Sequence, residues 1–514
     1  MIQSIDHVAL LPVYLAGGTA VLALLADLGL ARPRLTVAVT AAGAVAVAVA
    51  AWAVGTGPVR ETFCLVADAG ACSYVADRTS AAVAVLFGLL TLAVLGLSTA
   101  AVRHLPAGEY CFLLAASMTG GVALAYSRDL ITLIVAVETL TLPLYALVGL
   151  RRRSLDSVHG AVTFFIVSVV AMSVTLLGAA LLYAATGAVH LDRVAEALAA
   201  GVPGPLRALA AVAVVLVLAG LTFKVAAVPF HAWAPVAYDG APLPVAAYLS
   251  TASKLGGVVA VLYVVAFAFP PWLSVAGPPL AALAVATMTV GNLVALRQRR
   301  MVRLLAWSSV AQAGYILAPL GVFATASGRM PDAVALAVTA ALAYTIFYVL
   351  LEIAAFGAVV ALRGEADGGL IEDYRGAGRR APWTGAAFTL ALVGLAGLPP
   401  GLAGLFAKVV VVRSLLGGGA AWLALVVAVN AVIGLAYYLR VAAVLYAPSH
   451  PSAAATGGEP GRADGPAAAR AAVAGVPWAV GVALAAATVA GVVVGLAPQI
   501  VLDVAGGTVA ATGG

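Results

Sequence analysis

Three lysines carry the most chemistry in this sequence. Lys224, Lys254 and Lys408 are the only lysines in a chain of 514 residues whose other basic side chains, histidines aside, are all arginine. Each lies in an apolar stretch long enough to cross a bilayer, where a charged side chain costs at least ~2.5–3.5 kcal/mol near the helix centre. Arginine keeps its proton at any accessible pH, whereas a desolvated lysine can release one near neutrality. Lysine kept where a cation is costly therefore points to proton loading. Glu138 is the acid to match, mid-stretch in Leu133-Ile-Val-Ala-Val-Glu138-Thr-Leu-Thr-Leu-Pro143-Leu-Tyr145. A carboxylate there stays ionised only beside a cation, and such a pair titrates as a unit. For a single lysine, snorkelling or a static salt bridge is the plainer reading. For three of three, two of them beside helix breakers, proton transfer is the better one.

The neighbours sharpen this. One lysine sits in Gly220-Leu-Thr-Phe-Lys224-Val-Ala-Ala-Val-Pro229-Phe-His231. Another closes Gly397-Leu-Pro399-Pro400-Gly401-Leu-Ala-Gly404-Leu-Phe-Ala-Lys408. Pro229 has no amide hydrogen, so in a continuing helix it frees the carbonyl of Val225 beside Lys224. His231 falls two turns beyond Lys224 on the same helical face, either as a proton relay or as a structural cap on the break. Ser250 and Thr251 precede Lys254 by four and three residues, and their hydroxyls are placed to bond the amine or hold a water. Glu352 is a further buried acid, with Tyr348 and Tyr344 four and eight residues back on one face. It has no cationic partner in sequence, so a neutral, hydrogen-bonded state is expected; with Tyr348 it is a candidate relay. Asp27, at the end of the first apolar stretch, reads as an interfacial anchor.

Helices must position these groups. The chain is 64% hydrophobic and 9% charged, with mean hydropathy +1.10. That excludes a water-soluble surface, which carries about a quarter charged residues. The apolar runs are continuous Ala, Leu and Val blocks, unlike the ten-residue alternation of an outer-membrane barrel. Backbone groups in lipid must be satisfied within each segment, so the blocks are helices. Hydropathy places about fourteen spans near 8–30, 35–55, 79–101, 108–126, 130–150, 158–187, 208–234, 242–268, 277–296, 304–322, 333–361, 384–415, 421–446 and 477–500. The fold class is thus an all-α polytopic membrane protein. Its two interrupted spans fall third in each set when spans five to nine are compared with ten to fourteen, which suggests inverted repeats with two broken helices. The organisation divides into 1–107, the first three spans; 108–446, a proton-translocating core of spans four to thirteen; and 447–514, a Gly-, Ala- and Pro-rich linker and the last span.

With the N-terminus outside, the inner loops hold 16 arginines and the outer loops 7. By the positive-inside rule both termini then face outward. The first apolar stretch lacks a basic n-region and a small-residue cleavage site, and reads as a retained span. Cys64 and Cys72 share an outer loop, as a local disulfide or as two free thiols. The net charge of +6 is dispersed and does not suggest nucleic acid. No metal-ligand cysteine spacing, glycine-rich nucleotide fingerprint, P-loop or haem motif occurs, so no cofactor or redox centre is expected in this chain.

The stretch Phe223-Lys224-Val-Ala-Ala-Val-Pro229-Phe230-His231-Ala-Trp233-Ala-Pro235, continuing to Tyr238-Asp239-Gly240-Ala241-Pro242, resembles a known family. So do Glu138 before Leu-Pro-Leu-Tyr, Gly291-Asn292, Arg303-Leu-Leu-Ala-Trp307-Ser308-Ser309, Gly314-Tyr315 and Ala396-Gly397-Leu-Pro399-Pro400. The family is that of the antiporter-like membrane subunits of respiratory complex I, the proton-pumping NADH–quinone oxidoreductase. It is shared with multisubunit cation/proton antiporters and membrane-bound hydrogenases. The resemblance covers about residues 8 to 446 and is closest to the subunit N branch, since no room remains for a long lateral helix and position 408 is lysine. It implies a bacterial inner-membrane subunit that couples electron transfer from NADH to quinone to proton movement. It implies a path through Glu138, Lys224, Lys254 and Lys408. NADH, flavin, iron–sulfur clusters and quinone belong by this resemblance to partner subunits. Those partners are neighbouring antiporter-like and small membrane subunits and a peripheral redox arm, all within lipid. The alternative it leaves is a cation/proton antiporter or hydrogenase subunit, and a weaker third is a scaffold that has lost pumping. The chain departs from the branch at Val236, where an acid is usual, at His159 and Gly160, where a lysine often stands, and at Glu352, where a polar uncharged residue is expected. These departures suggest a diverged copy.

Overall fold

The computed structural model describes residues 5–30, 32–65, 68–151, 154–364, 366–448 and 476–510. Thirteen helices among them are long and apolar enough to cross a membrane. Most match the expected spans to within a few residues: Leu130–Val148, Leu155–Thr186, Leu243–Ala268, Pro331–Arg363 and Ala421–Tyr446 are examples. The remaining crossing is made in two halves, Pro382–Ala396 and Leu402–Gly417, so fourteen crossings are present. The seventh crossing is also interrupted, with Gly204–Lys224 followed after a gap by Trp233–Gly240. Crossings seven and twelve are five apart and therefore run in opposite directions, as inverted repeats require. The linker expected over 448–466 lies, from residue 449 on, outside the described residues.

Burial separates the spans into two kinds. In Leu243–Ala268 and Met301–Ala324, 94% of the spanning window is buried, against 28% in Leu11–Gly29 and Trp478–Leu496. The lysine-bearing eighth span is thus enclosed by protein on all sides. Outer spans present Val21, Leu22, Val135, Ile166, Val432 and Val489 to the surroundings, as lipid contact demands. Exposed Trp52, Trp383, Trp422 and Trp478 stand near helix ends, where amphipathic rings mark the membrane interfaces.

Three elements escape a hydropathy reading. Arg60–Leu65 pairs antiparallel with Asp68–Ala76, with Cys64 opposite Cys72. The two cysteines form a disulfide, so the bridged alternative holds. This hairpin gathers one face of the bundle: Arg60 pairs with Asp6 at 2.9 Å, Tyr74 OH donates to the carbonyl of Ala9 at 3.1 Å, and Arg128 N–H donates to the carbonyl of Ser73 at 2.9 Å. Arg128 also pairs with Asp77 and lies 4.6 Å from the Tyr263 ring centroid. The short amphipathic helix Leu191–Ala200 and the terminal helix Gln499–Ala510 are the other two. All three are too short or too polar to register as spans.

Candidate proton path

The fifth span brings Glu138 to mid-membrane, and Pro143 within it removes the backbone donor that the carbonyl of Thr139 would otherwise receive. The seventh span ends at Lys224. Its ammonium donates to Glu138 Oε1 at 2.8 Å, to Ser168 Oγ at 2.8 Å and to Thr141 Oγ1 at 3.3 Å, which uses all three of its N–H donors. Tyr145 OH donates to the same Ser168 hydroxyl. The two partners are unequal: the Lys224 side chain is 4% exposed and that of Glu138 23%. The acid therefore faces outward from the bundle while the base is sealed behind it. The expected pairing of these two residues is realised as direct contact.

The break beside Lys224 differs from the one read from Pro229. Helix geometry stops at Lys224, five residues before the proline, and the Val225, Ala226 and Ala227 amides turn back to the Thr222 and Phe223 carbonyls. Val225 is thus outside the helix, and Pro229 cannot free its carbonyl from an i,i+4 bond. The Val228 amide is taken instead by Thr287 Oγ1 at 3.0 Å. For the same reason His231 does not share a helical face with Lys224. It stands in the break with its ring 5.1 Å from that of Trp307, and its Nδ1 has no hydrogen-bond partner.

Lys254 follows a π-helical turn over Leu249–Ser253. Its ammonium donates to the Ser309 hydroxyl at 2.6 Å and to the Ser309 carbonyl. Ser250 and Thr251 do not hold it. Both hydroxyls bond back to the carbonyl of Ala247 in their own helix, the usual choice of a serine or threonine inside a helix. Tyr348 OH is 2.7 Å from Ser309 Oγ and donates to the carbonyl of Ser250 at 2.8 Å, which ties three spans together at this lysine. Glu352 is fully buried, yet neither carboxyl oxygen has a hydrogen-bond partner, contrary to the bonded state expected of it.

Lys408 lies one and a half turns into Leu402–Gly417 and folds back into the second break. It donates to the carbonyl of Leu395 at 2.9 Å and to that of Ala396, the last carbonyls of the preceding half-helix, and lies 5.4 Å from the Tyr315 ring centroid. Among the described residues no carboxylate pairs with it. Gly397 adopts φ +83°, and a Cβ there would lie 2.7 Å from the lysine chain, so the glycine leaves room for the ammonium.

Buried polar groups lie between the last two lysines. Gln312 Nε2 donates to the Leu395 carbonyl that also receives Lys408, at 3.1 Å, and to Tyr438 OH at 3.0 Å. Tyr438 in turn contacts Ser308, the neighbour of the serine that holds Lys254. Tyr344 donates to Gln312 Oε1 at 2.6 Å. Asn292, Tyr315, Asn430 and Tyr437 form an adjoining buried network. Gln312, Tyr438 and Asn430 were not singled out from sequence. The signal available was a polar residue inside an otherwise apolar span, which these three share with Glu138.

Between the first two lysines the contact is steric. A Cβ at Gly257 would lie 2.9 Å from the Lys224 carbonyl carbon and Cβ. Gly257→Val is therefore expected to push Lys224 away from Glu138, at a cost of about 1–3 kcal/mol in overpacking. Proton pumping by the assembled complex should fall although every titratable group remains. Wild-type pumping in that variant would show that the Lys224–Glu138 spacing is unimportant.

At the arginine-rich face, Arg300 pairs with Asp239 at 2.9 Å and with Asp367 at 3.0 Å. Burial opposes ionisation of Asp367, but Arg300 and Arg363 outweigh it and hold that carboxyl below its usual range. Arg440, inside the thirteenth span, reaches the carbonyls of Leu296 and Gln298.

The family described as NADH:quinone oxidoreductase/Mrp antiporter, transmembrane, matches residues 127–434. NADH-quinone oxidoreductase subunit N of Salinispora tropica is 65% identical over 520 residues, covering 98% of this chain and 99% of that protein. NADH-quinone oxidoreductase subunit N 2 of Streptomyces griseus is 44% identical over 453 residues, 87% and 84% of the two chains. Among solved structures, a chain of respiratory complex I from Thermus thermophilus with bound aureothin superposes with TM-score 0.74 at 30% identity, covering 96% of this chain and 98% of that one. A chain of the Mrp complex from Dietzia sp. superposes with TM-score 0.79 at 23% identity over 98% and 97%, a likeness of fold alone.

Proposed function

Because the chain belongs to the NADH:quinone oxidoreductase/Mrp antiporter family, in its NADH-quinone oxidoreductase subunit N branch, we propose that Glu138, Lys224, Lys254 and Lys408 carry protons across the membrane in such a complex. The observation that carries this reading is the Lys224–Glu138 contact at the interrupted seventh span, followed by the buried Lys254 and the partly buried Lys408. Electron transfer from NADH to quinone takes place in partner subunits, which hold the flavin and the iron–sulfur clusters. This chain converts the signal they send into proton movement. The excess of arginine in one set of loops supports an orientation with both termini on the outer side of a bacterial inner membrane.

The mechanism follows from what each lysine touches. Lys224 and Glu138 neutralise one another, so a change that parts them leaves an ammonium whose proton is no longer held by an acid. Lys254 is held by a hydroxyl and a carbonyl, and Lys408 by two carbonyls, which accept hydrogen bonds from the ammonium but carry no countercharge. Between Lys254 and Lys408 the hydroxyls of Ser309, Ser308 and Tyr438 can pass a proton by rotation, whereas water must carry it between Ser309 and Ser308 and past the Gln312 amide and the Leu395 carbonyl, which only fix the path.

Lys408 tests the far end of this path. A glutamate there keeps a titratable group, whereas methionine keeps only the apolar stem. Lys408→Glu is expected to retain part of the pumping and Lys408→Met much less, measured against NADH oxidation and assembled complex. Equal behaviour of the two variants would assign the site to packing or fixed charge.

A further inference from the structure

Glu352 has no role in the path above. It lies within Pro331–Arg363, fully buried, with both carboxyl oxygens lacking any hydrogen-bond partner. An ionised carboxylate in such a place is costly unless a charge compensates it. The nearby cation is Lys254: Tyr348, one helical turn before Glu352, bonds the Ser309 hydroxyl that holds the ammonium, and Lys254 Nζ lies 5.5 Å from the Tyr348 ring centroid, although the two charged groups make no ion pair within contact distance. A second uncommitted group stands beside them. The Tyr238 ring lies 6.4 Å from that of Phe356, one turn beyond Glu352 on the same helix, and among the described residues its buried hydroxyl has no hydrogen-bond partner. Tyr238 belongs to Trp233–Gly240, the helix that resumes after the first break, and its neighbour Asp239 is the acid bound by Arg300 at the arginine-rich face. Three buried polar atoms from two elements thus lack partners among the described residues in this part of the bundle, where native interiors leave few such atoms unexplained.

We propose that Glu352 is the proton-exchange partner of Lys254, so that the middle lysine works with an acid held at a distance, as Lys224 works with one in contact. In the exchange an N–H bond of the Lys254 ammonium breaks and an O–H bond forms on the Glu352 carboxylate, leaving a neutral amine and a neutral acid; the reverse step restores the ion pair. Net charge in the membrane interior is the same before and after, so the step avoids burying a new uncompensated charge. The free Tyr238 hydroxyl is a donor available to the carboxylate form. The proposal rests on the proton-path reading and adds a residue to it.

The test uses the assembled complex and infrared difference spectra between its oxidised and NADH-reduced states. In the wild type a protonated-carboxyl band should change on turnover. Glu352→Gln should lose that band and lower the protons moved per NADH, while NADH oxidation with an uncoupler present is retained. Glu352→Asp should shift the band and restore part of the pumping, and it serves alone if the glutamine variant fails to assemble. A band unaltered in either variant, or wild-type pumping in Glu352→Gln, overturns the proposal. The parent reading is judged separately: wild-type pumping in Lys224→Ala would overturn it, whereas a normal Glu352→Gln alongside a disabled Lys224→Ala would sink only the exchange between Glu352 and Lys254.

Discussion

Glu138→Gln and Lys224→Ala are each expected to remove most of this chain's share of the protons pumped by the assembled complex, since positioned acid–base groups contribute ~10²–10⁴ in rate. The two variants act differently on the same contact. Glutamine keeps an acceptor for the Lys224 ammonium but removes its countercharge, leaving a sealed cation whose partners, with Ser168 and Thr141, are all neutral. Breaking one side of a buried ion pair costs about 3–5 kcal/mol, and the partial exposure of Glu138 places this pair at the low end. Alanine removes the base and leaves a carboxylate that faces out of the bundle and is not sealed inside it. Assembly should therefore suffer more in Glu138→Gln, and pumping must be compared at equal complex content in sealed vesicles. Unchanged pumping in both would reduce the pair to a structural bridge.

Lys254→Arg is expected to lower pumping as fully as Lys254→Met although it keeps the positive charge. Guanidinium can donate to the Ser309 hydroxyl and carbonyl as the ammonium does, so the local bonds have a replacement. It cannot release a proton at any accessible pH. Its bulk must also be fitted into a span enclosed on every side, so a modest loss of assembly accompanies the change. The informative result is the pumping of the arginine variant that does assemble. If it pumps normally, Lys254 supplies a fixed charge and does not load a proton.

Much of this was legible in the sequence because the bilayer imposes so few solutions. A run of about 20 apolar residues must be a helix, and the spans fell near their expected places. A buried acid needs a buried base, and Glu138 with Lys224 satisfied that need by direct contact. What sequence spacing missed was contact between helices. Ser250 and Thr251 looked like partners of Lys254 because they are near it along one helix; their hydroxyls went to their own backbone, and Ser309 came from another span. His231 was counted along a helix that does not exist beyond Lys224. Glu352 was expected to find a hydrogen-bond partner and has none among the described residues. Gln312 and Tyr438 matter only through the Leu395 carbonyl and Ser308, which no periodicity connects. The hairpin at Cys64 and Cys72 sits in a loop too polar and too short for a hydropathy signal.

If the lysines of this chain carry part of the protons that accompany NADH oxidation, as proposed, their joint loss must lower the proton yield. The direct measurement is the number of protons translocated per NADH oxidised in sealed vesicles, comparing wild-type complex with complex in which Lys224, Lys254 and Lys408 are all replaced by methionine, at equal assembly. A clear fall in that ratio, with quinone-dependent NADH oxidation persisting when the membrane is uncoupled, is the predicted result. An unchanged ratio in the triple variant would contradict it, and would leave this chain as a scaffold for pumping done elsewhere.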